Sequence, residues 1–312
     1  VYVVNDDDKG RDLPATQLTW SITDDKDNTL AEGTEQMPAV EYYGRKYIEP
    51  AITIPANLPA DKVYGKLRLS LKAGGREISK NEYDLTLARR EWNMNKVSPD
   101  TKIAILDADG MAATLAELGI NVTTVSSVKD LFGRRIKADV RIISGLKDCT
   151  DAEAAELRAH HIAGGRLIFL NSKEVAQKVF PEYIEGWIIP TEGDIVVMER
   201  DDAPVFDGIG VLDLRYFNNN RREIPLACTA TLKAARCEAV TELAGQMKIH
   251  AYIDGGKPED RIKRIESMRG LTLLQIAGGK GKALVSTMCT EKALTDPIAG
   301  HLLVNIISEA AK

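Results

Sequence analysis

The chain has 312 residues, 44% of them hydrophobic and 28% charged, which is typical of a folded globular protein and not of a disordered or fibrous one. Its 41 basic and 46 acidic residues give a formal net charge of -5, so the composition gives no electrostatic support to a nucleic-acid or membrane-surface partner. No apolar run approaches the roughly 18 residues of a membrane-spanning helix. The chain begins VYVVND, within an expected strand and without a methionine, so we expect a fragment of a longer protein.

Residues 1–90 have the pattern of an all-β domain, in which about seven short strands recur between turn residues. Apolar side chains alternate from Leu18 to Ile22, as in a strand with one buried face. Asp24 to Asn28 and the pair Gly74-Gly75 are turn sequences, the second suited to a two-residue hairpin. This spacing predicts an immunoglobulin-like β-sandwich.

Three tyrosines, Tyr42, Tyr43 and Tyr47, lie close together in this first domain. Tyrosine rings stack on sugar rings, and they also pack at the edges of sandwiches. Both interpretations remain open, so these residues are candidates for binding carbohydrate.

Residues 91–100 are polar, lack alternation and end in Ser-Pro-Asp, and we expect a linker there. Residues 101–312 then alternate between buried-strand runs and helical segments. The strands expected at Thr101 to Asp107, Ala138 to Gly145 and Arg166 to Leu170 predict a doubly wound parallel sheet of the flavodoxin-like kind.

The later part of this α/β domain is richer in strands. From about Tyr183 to Tyr252, segments such as Asp194 to Met198 and Leu226 to Leu232 predict an added β-rich layer. Leu271 to Ile276 and Ala283 to Thr287 predict a hairpin at or near the sheet edge.

Two helices have clear start sequences. Thr150 and Glu153 have the spacing of a capping box, and Gly164-Gly165 is a stop for the same helix. Asp296-Pro297 combines an N-cap residue with proline in the first turn. The apolar residues that follow it predict a final helix that docks by one face.

Ligands of open parallel sheets bind outside the carboxyl ends of the strands, so Asp107, Ser144, Asn171 and Ser172 are the candidate ligand-binding residues of this domain. The sequence from Asp107 to Gly110 is compatible with a metal or a ribose, or with a simple turn. It lacks the glycine spacing that brings a backbone close to a pyrophosphate, and we expect no nucleotide cofactor.

No catalytic residue is predicted. Ser172 lies between a strand and a helix, as a hydrolase nucleophile does, but no glycine flanks it. The four histidines offer no base, since two are in the preceding helix, one in the β-rich region and one in the final helix: His160, His161, His250 and His301. Adjacent histidines on a helix diverge by about 100 degrees, and the scattered cysteines contain no C-x-x-C pair, so no metal site is expected.

Four later segments resemble class I glutamine amidotransferase-like domains found at or near the C-termini of glycoside hydrolases, including β-galactosidase trimerisation domains. LRAHHIAGGRLIFL resembles their L-R-x-Y-V-x-x-G-G-x-L segment, and APVFDGIG their H-P-x-F-x-G-L segment, with Ala203 where histidine is usual. GKGKALVST and DPIAGHLLVNIISEA resemble their closing strand and helix. The opening segment, Val1 to Gly33, resembles the immunoglobulin-like domain that follows the catalytic barrel in glycoside hydrolase family 2.

The resemblance implies a non-catalytic C-terminal region whose barrel, with its two catalytic glutamates, lies upstream of Val1. Expected partners are that barrel, further copies of the chain in an oligomer, and carbohydrate. The amidotransferase cysteine would fall near Asn171 or Ser172 and is missing, so glutaminase activity is not expected. Export to the periplasm or the medium is implied by the family alone. The alternatives are a carbohydrate-binding module and, with less support, a hydrolase that uses Ser172.

Overall fold

The computed structural model describes residues 1–93, 97–188, 196–214, 227–247, 257–260 and 269–312. The chain divides into two compact units, Val1–Trp92 and Asn93–Lys312. The first is all-β, and the second combines helices with a mixed sheet of ten strands. This arrangement is consistent with a multidomain protein that contains an α/β unit.

The first unit contains six strands, fewer than the expected seven, in two sheets. The larger sheet is antiparallel with the order β3–β2–β5–β6, and β1 pairs with β4 in a two-stranded ribbon. The bounds are β1 (Tyr2–Val4), β2 (Thr16–Asp24), β3 (Thr29–Met37), β4 (Arg45–Tyr47), β5 (Lys62–Ala73) and β6 (Arg76–Ala88).

The turns of this unit form where the sequence predicts them. The Asp24 carboxylate accepts backbone hydrogen bonds from Lys26 and Asn28 and closes the β2–β3 turn. Gly74 and Gly75, with φ of 55° and 80°, join β5 to β6 in the left-handed conformation of a tight hairpin. The alternating residues of β2 then face a small core that includes Leu18.

The second unit starts with alternating strands and helices. Its elements are β7 (Ile103–Asp107), α1 (Met111–Glu117), β8 (Thr123–Val125), α2 (Val128–Leu131), β9 (Val140–Ser144), α3 (Asp151–Ile162), β10 (Arg166–Leu170), α4 (Lys173–Val179), β11 (Ile184–Ile188), β12 (Val197–Met198), β13 (Thr231–Ala234), β14 (Val240–Met247), β15 (Arg269–Gly278), β16 (Gly281–Ser286) and α5 (Pro297–Ala311).

Five strands of this unit are parallel, in the order β8–β7–β9–β10–β16. The chain moves outward in opposite directions from β7 and β9, so the neighbouring ends of these strands form a crevice of the kind that binds ligands in open sheets. Strand residues such as Ile142, Ile168 and Phe169 are completely buried, as in a sheet covered on both faces.

The β-rich region differs from its prediction. The sequence predicts an added layer, with the β15–β16 hairpin at or near the edge of the sheet. Instead β16 pairs with β10 on one side and β15 on the other, and β15 continues to β13 and β14. The region therefore extends the same sheet, because both sides of β15 and β16 find hydrogen-bonding partners. The segments predicted at Asp194 to Met198 and Leu226 to Leu232 lie partly outside the described residues.

The helix starts form as expected. Thr150 and Glu153 make a reciprocal capping box on α3, and the Asp296 side chain accepts from the backbone N–H groups of Ile298 and Ala299 at α5. However, α5 is buried from Ile298 to Ile307 on all sides, because strands cover one side of it and short helical turns another. None of the helices in the described ranges is long and apolar enough to cross a bilayer.

Candidate functional site

Asp107 ends β7 at the crevice and binds the start of α1. Its carboxylate accepts hydrogen bonds from the backbone N–H groups of Asp109, Gly110, Met111 and Ala112, over 2.9–3.3 Å. Burial alone would raise the pKa of Asp107, but these N–H groups outweigh it and hold the pKa below the ordinary value. Asp107 is therefore ionised and has a structural role at the helix start.

Ser144 ends β9 on the other side of the crevice, and its hydroxyl donates a 2.7 Å hydrogen bond to Asp109. Partial burial raises the pKa of Asp109, the Ser144 hydrogen bond opposes this, and the nearby charges of Asp107 and Glu291 raise the pKa further. The two aspartates thus have pKa values moved in opposite directions.

Gly145 allows this approach between the two loops. It has φ of +69°, and a Cβ atom there would lie 2.6 Å from the side chain of Asp109. The sequence singles out Asp107 and Ser144 as candidate residues, and it includes Asp109 only as part of the segment from Asp107 to Gly110. The structure adds that Asp109 is the aspartate of this segment that receives the Ser144 hydroxyl.

Asn171 follows β10 and lies on the same edge of the sheet, with φ of 50°. Its side-chain nitrogen donates to Glu291 over 3.1 Å, and its backbone carbonyl accepts from Lys147 over 2.8 Å. Thr229 donates a longer bond of 3.4 Å to its side-chain oxygen. The negative charge of Glu291 also raises the pKa of Asp109, so Glu291 links Asn171 to the two aspartates. Three of the predicted residues therefore belong to one polar group, namely Asp107, Ser144 and Asn171.

Ser172 lies apart from this polar group. Its side chain is completely buried, and its hydroxyl accepts from the backbone N–H of Leu146 and donates to the carbonyl of Leu170, both over 3.0 Å. Both bonds fix the loops after β9 and β10. The hydroxyl is therefore used in holding the strand ends together.

The histidines that the structure describes lie in other environments. His160 contacts Arg141 over 3.2 Å, and burial, followed by the charge of Arg141, lowers its pKa to about 4. His161 is buried against Phe180, and His301 contacts the carbonyl of Asp207. His250 lies outside the described residues.

The buried cysteines are poorly suited to act as nucleophiles. Cys289 follows β16 and is 2% exposed, and burial raises the pKa of its thiol far above the ordinary value. A thiol in that state is protonated and a poor nucleophile. Across the described parts of the chain, no group of three His, Cys, Asp or Glu side chains is arranged to hold a metal ion.

The predicted tyrosines form contacts within the first unit. Tyr42 and Tyr43 contact each other with ring centroids 4.3 Å apart, whereas Tyr47 pairs with Tyr2 at 4.5 Å. Tyr43 is the most exposed of the three, at 77%. The structure therefore pairs two predicted residues together and adds Tyr2 as the partner of the third.

The sequence matches no protein-family model, and no curated protein matches it. Among solved structures, a ThuA-like protein from Bacteroides uniformis has 12% identity and a TM-score of 0.44, over 69% of this chain and 93% of that one. The β-galactosidase of Rahnella sp. R3 has 14% identity and a TM-score of 0.39, over 67% of this chain and 31% of that one.

A β-galactosidase from Bacillus circulans is a further distant neighbour, with 14% identity and a TM-score of 0.35. It aligns over 67% of this chain and 30% of its own. The chain thus spans about a third of the length of these two β-galactosidases. Similarity at this level identifies distant structural neighbours and carries no further argument.

Proposed function

We propose that the chain is a non-catalytic accessory region of a carbohydrate-active glycoside hydrolase of family 2, related to β-galactosidases. In this proposal residues 1–90 are an immunoglobulin-like domain, 91–100 a linker, and 101–312 a flavodoxin-like, degenerate amidotransferase-like domain. The region supports an upstream catalytic barrel or mediates oligomerisation.

The burial and the hydrogen bonds of the Ser172 hydroxyl support the proposal that the chain is non-catalytic. The resemblance puts the amidotransferase nucleophile at or next to this residue. Here the hydroxyl is buried, and both of its hydrogen bonds go to backbone groups of Leu146 and Leu170. Attack on a substrate would require an exposed oxygen and a base to take its proton, and the hydroxyl is committed to the loops instead.

The packing of the amidotransferase-like segments supports the domain assignment. Strand β10 pairs in parallel with β16, and α5 packs on both strands. Asn305 of α5 donates to the carbonyls of Val205 and Asp207, which binds the 203–210 segment to the helix. The parallel strand order also matches that of flavodoxin-like sheets.

Hydrolysis assays test the proposal. We expect the purified chain to release no nitrophenol from nitrophenyl glycosides and no ammonia from glutamine. Turnover that is lost in Ser172→Ala and kept in Ser126→Ala, an exposed serine of the same unit, would show a catalytic site instead. The coding DNA upstream of Val1 provides a second test, since we expect an open frame that encodes a barrel with paired glutamates.

A second candidate function is carbohydrate binding through the tyrosines. Tyr43 is favoured because its ring is 77% exposed beside Tyr42. Calorimetry with neutral oligosaccharides tests this role by comparing Tyr43→Ala with Tyr83→Ala, an exposed tyrosine elsewhere in the unit. Binding lost only in Tyr43→Ala would support it, and equal binding by both variants would contradict it.

A further inference from the structure

The four-stranded sheet of the first unit has a polar face with a groove of about 1050 Å³. Trp20 and Leu69 also border the groove, and they are paired with each other across β2 and β5. Because side chains alternate between the two faces of a strand, only the backbone of these two residues faces the groove. Their side chains belong to the face that carries Leu18 and the core. The groove is therefore lined by the side chains of the opposite, polar face.

Strand register arranges these polar side chains in rows. The central strands β2 and β5 supply the hydroxyl residues Thr19, Ser21 and Ser70, but β5 also supplies two long basic ones, Arg68 and Lys72. The outer strands β3 and β6 supply mostly longer charged residues. One row runs Glu32–Ser21–Arg68–Glu82, and the next runs Thr34–Thr19–Ser70–Lys80. Thr19, Ser21 and Ser70 form the floor of the groove, and the longer side chains around them form its walls.

Part of the groove is already engaged in internal contacts. Arg68 binds Asp27 and Glu82, and Ser70 donates to Glu77 over 2.7 Å. In contrast, the side chains of Ser21, Glu32, Thr34 and Lys80 make no hydrogen bond or ion pair with any residue that the structure describes. These side chains are free to bind a ligand.

The lining composition selects the class of ligand. Three acidic and three basic residues line the groove, so it has no net charge to attract a nucleic acid or an anionic surface. Lysine and glutamate are depleted in the cores of protein interfaces, which disfavours a protein partner. The residues are Glu32, Glu77, Glu82, Arg68, Lys72 and Lys80.

We propose that this groove binds a neutral oligosaccharide. Hydroxyl groups of a sugar both donate and accept, so one ligand can satisfy the Glu32 carboxylate, the Lys80 ammonium and the floor hydroxyls together. Its volume slightly exceeds the usual range of about 300–1,000 Å³ for small-molecule pockets, which suits a ligand of several linked rings. The inference rests on the proposed accessory role and deepens it, because it gives that non-catalytic region a class of ligand.

Isothermal titration calorimetry on the whole chain tests the groove, with cellotetraose, xylotetraose, laminaritetraose and β-1,4-galactotetraose as probes. We expect at least one to bind. Ser70→Arg should weaken that binding by about tenfold or more, since the added side chain covers the floor and removes hydrogen bonds to the ligand. Ser79→Arg is the matched control, because Ser79 is opposite Leu71 and lies on the other face of the same sheet.

Absence of binding to all four probes would overturn the proposal that the groove binds an oligosaccharide. Binding that Ser70→Arg leaves unchanged would overturn it as well. Binding that Tyr43→Ala removes instead would transfer the site to the tyrosines. The proposed accessory function fails by a different result, namely turnover in the hydrolysis assays. The two failures are therefore distinguishable.

Discussion

The hydroxyl of Ser144 donates a 2.7 Å hydrogen bond to the carboxyl of Asp109, across the crevice between the ends of β9 and β7. This bond joins the loops at the place where the parallel strand order reverses. It also connects Ser144 to an aspartate that the sequence marks only as part of the candidate segment from Asp107 to Gly110.

The pKa values of Asp107 and Asp109 should lie on opposite sides of the ordinary value of 3.8. Carbon-detected NMR of the side-chain carboxyl groups should give Asp107 a lower and Asp109 a higher pKa. Ser144→Ala removes a hydrogen bond that favours ionised Asp109, so it should raise the Asp109 pKa further. An Asp109 pKa at or below the ordinary value would contradict this arrangement.

These shifts give the two aspartates stability contributions of opposite sign. Folding lowers the Asp107 pKa, so its contribution is present above the ordinary value and is lost as the pH falls through the lowered one. Folding raises the Asp109 pKa, so its contribution is present below the ordinary value and is lost as the pH rises through the raised one. Asp109→Asn should therefore gain stability relative to the native chain between pH 4 and neutral pH, as urea unfolding at several pH values can check.

Asp107→Ala should destabilise the start of α1 by about 1–2 kcal/mol, because it removes the acceptor for four backbone N–H groups. Hydrogen exchange should become faster at the amides of Gly110 to Ala112. Asp100→Ala, at an exposed position of the same unit, is the control and should leave these amides unchanged. Equal exchange in both variants would argue against the role assigned to Asp107.

Ser172→Ala should lower stability by about 1–3 kcal/mol, because it leaves the Leu146 N–H without its acceptor in a buried position. The measurement is urea unfolding, with Ser126→Ala as a control on the exposed surface. A Ser172→Ala chain as stable as the control would show that the hydroxyl has no structural role and would reopen its catalytic candidacy.

Gly281→Ala should destabilise the second unit by about 1–3 kcal/mol or more, since overpacked positions force the backbone to shift. A Cβ atom at Gly281 would lie 1.8 Å from the carbonyl oxygen of His161. At Gly186 in β11, a Cβ atom would meet nothing within 4 Å, so Gly186→Ala is the matched control. Thermal unfolding of the two variants compares them, and similar melting temperatures would refute the close contact.

Local features of the fold could be predicted from sequence where a few neighbouring residues determine them. The capping box of Thr150 and Glu153, the Gly74-Gly75 hairpin and the Asp296 cap all depend on residues within a few positions of one another. The same applies to Asp107, which lies at the end of a recognisable buried strand.

Features that depend on distant residues could not be predicted in this way. Nothing in β16 itself specifies that β10 lies beside it, so the hairpin was expected at or near an edge. The Tyr2–Tyr47 pair depends on the β1–β4 register, and the role of Asp109 depends on Gly145 allowing a close approach. Alternation and spacing report which face a residue occupies, whereas strand order is a property of the assembled sheet.

The central position of β16 has a consequence for how the second unit is made. Residues 166–170 of β10 pair with residues 282–286 of β16. During synthesis, β10 therefore leaves the ribosome more than a hundred residues before its partner strand. Before β16 is added, one edge of β10 has unpaired backbone groups, and such an edge can pair with strands of other chains. Because this parallel pairing joins distant segments, we expect closure of the sheet to be a slow, late step in folding.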